Sequence, residues 1–165
     1  MIFGMTILTF VHVLLSVIGI FAGLVVAFGL LTSKQLNGWT GVFIWTTVAT
    51  SVTGFLFPFH KFLPSHAIGI LSLVVLTVAI YALYGRHLAG VWRKTYAINA
   101  MIALYLNVFV LVAQLFDKVP ALRVLAPTKT EAPFKEAQLA LLILFVVLTI
   151  LAAIKFRSEP VNATI

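Results

Sequence analysis
Not one charged side chain precedes Lys34. The run over residues 5–31 exceeds the roughly 20 apolar residues that cross the hydrocarbon core of a bilayer as a helix. A stretch of this kind has no water-soluble solution as an exposed helix, so it restricts the chain to architectures in which lipid is part of the solvent. The pattern repeats over residues 38–57, 65–85, 92–116 and 136–154. Backbone polar groups in lipid must be satisfied within their own segment, so these runs are expected to be helices and not strands.

Composition agrees. Hydrophobic residues make up 62% of the 165 and charged residues 9%, with a mean hydropathy of +1.16. A soluble domain is about half apolar and about a quarter charged. The expected fold class is all-α, a single integral membrane helix bundle of about five transmembrane helices with an outer loop over residues 117–135. The first run lacks a basic leading segment and a small-residue cleavage site, so it reads as a retained span. The net charge of +7 sits at the ends of the apolar runs, where charge orients helices in a bilayer. It does not indicate nucleic acid. The chain has no cysteine, which removes disulfides, thiolate ligands and redox thiols.

The spans divide the basic residues between two faces. Lys34, Arg86, Arg93, Lys94, Lys155 and Arg157 share one face, close to span ends. Lys61, Lys118, Arg123, Lys129 and Lys135 share the other, beside Asp117, Glu131 and Glu136. The first face is expected to be cytoplasmic, with the N-terminus outside and the C-terminus inside a bacterial inner membrane.

The chemistry-bearing residues follow from the same frame. His12, His60 and His66 fall on the outer face, whereas His87 lies alone at the inner end of the third helix. His12, Ser16, Gly19 and Gly23 share one helical face. Gly19-Ile-Phe-Ala-Gly23 is a small-xxx-small pattern that admits another helix, or a second copy of the chain, at close range. The fourth helix carries a stripe of Tyr96, Asn99, Ala103, Asn107, Val110, Gln114 and Asp117, whose amides are costly against lipid and are expected to face the bundle. His12 and His66 at similar depth suit a haem b held by two histidines, with Phe55, Phe57, Phe59 and Phe62 as its wall and Asn107 and Gln114 as cofactor or quinone contacts. His12, His60 and His66 alternatively make a three-nitrogen site for zinc or copper. In a third version the histidines and amides relay protons or join helices without any ligand. Trp39, Trp45, Trp92, Tyr84 and Tyr96 read as interface belt residues.

Other chemistries are set aside. There is no phosphate loop, no Ser-His-Asp set and no carboxylate inside a span, which disfavours ion-coupled transport. Catalytic residues are not assigned. Val119 to Leu125 is expected to form a short interfacial helix within the outer loop.

"LNGWTGVFIWTTVATSVTGFLF" followed by "PSHAIGILSLVVLTVAIYALYGRHLAGVWRKTY" resembles a bacterial family of membrane proteins of unknown function. There a Gly-Trp opens a small-residue helix, and a turn with Pro and His opens a Leu-rich one. His12 in "TFVHVLLSVIGIFAGLVVAF" is similar to the first-helix histidine of small haem-carrying bundles. The resemblance spans about residues 8–117. It implies a bundle that binds haem, quinone or a metal, with His12, His66 and His87 carried over. The inner turn departs from the family's His-Arg pairs, reading Arg86-His87 with Arg93 and Lys94 later. Two functions result: a redox or electron-transfer membrane protein with an outer-face histidine site, or a non-enzymatic accessory subunit of a larger membrane complex.

Overall fold
The computed structural model describes residues 6–57 and 64–156, and those residues form helices without strands. Helix α1 spans Ile7–Leu31, α2 Asn37–Gly54, α3 Pro64–Ile80, α4 Trp92–Lys118, α5 Pro120–Leu125 and α6 Ala132–Lys155. The hydroxyl of Thr6 caps α1 by accepting the Thr9 N–H at 3.2 Å. Helix α3 runs into one π-helical turn, Tyr81–Gly85, closed by the bond from Arg86 N–H to the Tyr81 carbonyl at 2.9 Å. His87 and Leu88 then take left-handed backbone angles, φ 48° and 57°, and turn the chain towards α4.

Four helices are long and apolar enough to cross a membrane: α1, α3 with its π turn, α4 and α6. Helix α2 is not among them. At 18 residues it is about 27 Å long, and threonine, serine, glycine and asparagine take half its positions. Helix α6 begins before the expected residue 136, because Pro133 fits the first turn, where its missing N–H costs nothing. The expected short helix in the connecting segment is present as α5.

Packing follows chain order. Helix α2 lies against α1, α3 against α2, and α4 against α3 and α1, which closes a four-helix ring. Helix α6 adds to the outside, along α4 and α1. The core is small and aromatic by turns, with Ala22, Phe43, Ile44, Leu76, Tyr96 and Leu104 almost wholly buried. Tyr96 therefore departs from the interface-belt expectation. Its ring is 1% exposed and its hydroxyl donates to Thr40 at 3.4 Å, because α4 turns that face into the ring. Trp39 and Trp45 are exposed as expected.

Candidate functional site
The Gly19 and Gly23 face does admit close neighbours, and they are α2 and a side chain of α4 in the same chain. A Cβ on Gly19 would lie 3.0 Å from Thr46 Oγ1, and one on Gly23 would lie 2.6 Å from Leu104 Cδ1 and 2.8 Å from the Phe43 ring. The glycines thus bring α1 within hydrogen-bonding reach of the hydroxyls on α2.

Those hydroxyls are shared out among the neighbours. Thr40 accepts from Tyr96 and Thr47 accepts from Asn107 Nδ2 at 3.1 Å, both on α4. Ser51 donates to Ser72 on α3 at 3.2 Å. Thr53 meets His12 Nδ1 on α1 at 2.9 Å. Helix α2 is the polar axis of the bundle: through Thr40 and Thr47 it is tied to α4, through Ser51 to α3 and through Thr53 to α1.

The His12 contact fits either ring tautomer. The Thr53 hydroxyl proton can go to backbone carbonyls of its own helix, Ala49 at 2.8 Å and Thr50 at 3.1 Å. With its proton so placed, Thr53 Oγ1 accepts from the Nδ1–H tautomer of His12; in the other tautomer Thr53 donates to Nδ1 instead. Nε2 has no hydrogen bond among the described residues and carries the lone pair in the Nδ1–H tautomer. The ring is half-buried, edge-on to Phe57 at 5.3 Å, with its Cε1 beside Gly54.

His66 occupies the same end of the bundle but a different corner. It is 6% exposed, and its ring stacks on Phe55 at 5.9 Å. Phe55 reaches α3 because Gly69 leaves room: a Cβ there would come within 3.1 Å of the ring. His12 and His66 therefore belong to helices on opposite sides of α2, each against its own phenylalanine of the α2 terminus. His60, Phe59 and Phe62 lie outside the described residues. Among the described residues no three His, Asp or Glu side chains gather as a metal-binding group. Asn107 is half-buried and engaged with Thr47, whereas Gln114 is exposed on the last turns of α4. His87 is at the far end.

Sequence reasoning placed the histidines by depth but did not find Thr53, since a threonine among five on one helix carries no mark of its own. A second feature also went unread. An open cleft of about 340 Å³ at the opposite end is lined by Gln35, Asn37, Thr40, Leu83, Tyr84 and His87. No protein-family model, curated protein or solved structure matches this chain.

Proposed function
We propose that the chain is a multi-pass membrane protein whose His12 is a ligand to an electron-pair acceptor, a haem b iron or a metal ion such as zinc or copper, in a redox role. The observation that carries this is the hydrogen bond between His12 Nδ1 and Thr53, which orients the ring and, in the Nδ1–H tautomer, leaves Nε2 as a bare donor atom. Ligating histidines generally hold their second nitrogen in this way. The same lone pair argues against an oxidised quinone, whose carbonyls need a proton donor. Haem iron would supply one-electron exchange, and this chain's part is to orient the imidazole in a water-poor setting beside Phe57. His66 and His60 are the candidates for the second ligand.

The topology belongs to the same reading. Helix α2 is the fifth span, its hydroxyls covered by α1, α3 and α4, with the N-terminus outside. The lys- and arginine-rich end then faces the cytoplasm. A second reading, an accessory subunit of a larger complex, is favoured by α6. Leu139, Ile143, Val147, Ile150 and Ile154 on it are between 49% and 57% exposed.

A visible spectrum of the detergent-purified protein, oxidised and then reduced with dithionite, with metal analysis of the same sample, tests the first reading. A Soret band with sharp reduced bands, lost in His12→Ala and shifted in Thr53→Val, is the expected result. A colourless, metal-free protein removes the ligand role. Recovery in a larger assembly from mild detergent would then favour the second.

A further inference from the structure
The link between α4 and α6 turns an apolar face away from the protein. Helix α5 lies along α4, and its residues sort into two sides at helical spacing. Leu122 is partly buried, and Ala126, one turn further along the same side, is wholly buried. Pro120, Ala121, Val124 and Leu125 make the other side. All four are exposed, Val124 at 78% and Leu125 at 55%. A lid over a pocket would carry its apolar side inwards, whereas α5 carries it outwards and buries none of its own residues.

Position and charge select what covers this face. Leu115 and Val119, four residues apart on one face at the end of α4, are both exposed, so the apolar surface of that span leads into α5. Lys118 and Arg123 flank it and are exposed as well. Neither forms an ion pair among the described residues. Asp117 holds Lys129 at 2.7 Å, and Glu131 bonds back to Thr128 and Thr130. Apolar side chains bordered by unspent cations, at the level where a span ends, suit the boundary between lipid headgroups and acyl chains. The long stems of Lys and Arg let their charges reach the headgroup phosphates from there.

We propose that α5 is a membrane-surface anchor. Val124 and Leu125 enter the acyl boundary, Lys118 and Arg123 meet lipid phosphates, and the anchored link fixes the depth of the thinly packed α6. This rests on the membrane reading of the chain and not on His12 as a ligand. The chain has no cysteine, so a single introduced cysteine can carry a nitroxide in the full chain, reconstituted in vesicles of phosphatidylcholine and phosphatidylglycerol. Collisions with oxygen, which concentrates among acyl chains, are compared with collisions with a water-soluble nickel chelate. Ile143→Cys on the exposed face of α6 serves as the lipid reference, and Thr130→Cys as the water reference. The Val124→Cys label is expected to favour oxygen and to lie about 5–10 Å into the boundary. Leu125→Cys gives a second position for the same reading. Nickel preference at both, as at Thr130, places α5 in water and overturns the proposal. Labels that are immobilised and reached by neither collider mean that a protein covers the face, which overturns it too. Nickel preference at Ile143 as well removes the membrane reading, and the anchor with it.

Discussion

Helices α2 and α6 are opposites. Helix α6 is apolar along most of its length, yet only Gln138, Phe145 and Ala152 of its 24 residues are buried. Helix α2 is rich in hydroxyls and glycine and is not among the four helices apolar enough to cross a membrane, yet Thr40, Phe43, Ile44, Thr47 and Ser51 of its 18 are buried. In water the ranking would be reversed. The inversion shows what lipid does to the usual rule. Hydrocarbon removes the penalty for leaving Leu and Ile outside, so apolarity no longer drives a helix inwards. What must be hidden is the hydroxyl or amide, and small residues are hidden most closely because they let backbones approach.

The sharpest way to break this comparison is to fill the approach. Gly23→Leu places side-chain atoms where the Phe43 ring and Leu104 already sit, 2.6–2.9 Å from a bare Cβ. Overpacking of this kind costs about 3 kcal/mol or more where the neighbours cannot retreat. Reversible unfolding in mixed micelles should register that loss, whereas Ile143→Ala on the exposed face of α6 should cost less than about 0.5 kcal/mol. Equal losses would mean that α6 is covered and α2 is not the axis. A smaller effect is expected from the Thr47 and Asn107 pair. Thr47→Val and Asn107→Leu should show a coupling near 0.6 kcal/mol in a double-mutant cycle, the average for interhelical hydrogen bonds in a membrane protein. Gln138→Met should be close to neutral. Gln138 Nε2 donates to the Phe109 carbonyl at 3.1 Å, but its buried Oε1 has no partner, so the two changes offset.

This contrast also marks what the residues could disclose before the fold was known. Long apolar runs are a signal of period-free hydrophobicity, and α1, α3, α4 and α6 stand where those runs lie, within a few residues. Their ends moved where local chemistry intervened, as at Pro133 and at the π turn. Helix α2 was legible as a helix with a small polar face, but its rank as the shared partner was not, because matching Thr40 to Tyr96 or Thr53 to His12 depends on which helices become neighbours. The depth of His12 and His66 was legible for the same reason as the spans. Their placement on opposite sides of α2 was not, since depth is set by position along a helix and azimuth by packing. The cleft between α2 and the π turn was also invisible, as Gln35 and Asn37 come from the start of α2 and the link before it, and His87 from the distant turn that follows α3.

The smallest predicted effect concerns how α6 is tethered. Because so little of α6 is buried, the link that leads into it should matter more than a surface link usually does. Glu131 organises it. One carboxylate oxygen accepts the Thr128 hydroxyl at 2.7 Å and its N–H at 3.3 Å, and the other accepts the Thr130 N–H at 3.0 Å. The Thr128 hydroxyl is the main cause holding the Glu131 carboxyl below its ordinary value. A depressed carboxylate adds stability that is complete above the unfolded value, near 4.5, and is lost as pH falls through the lower folded value. The site is fully exposed, so the change should be local. Amide protection at Thr128 and Thr130, measured against the intrinsic exchange rate, should be present at about pH 6 and fall away as pH drops through the lowered folded value of Glu131. Thr128→Val should move the Glu131 titration towards the ordinary carboxylate value and shrink that pH step, while the neighbouring Lys129–Asp117 pair at 2.7 Å persists. A pH step of undiminished size in Thr128→Val would show that the Thr128 hydroxyl is not what holds Glu131 low, and that the two backbone N–H bonds to the carboxylate carry the turn into α6.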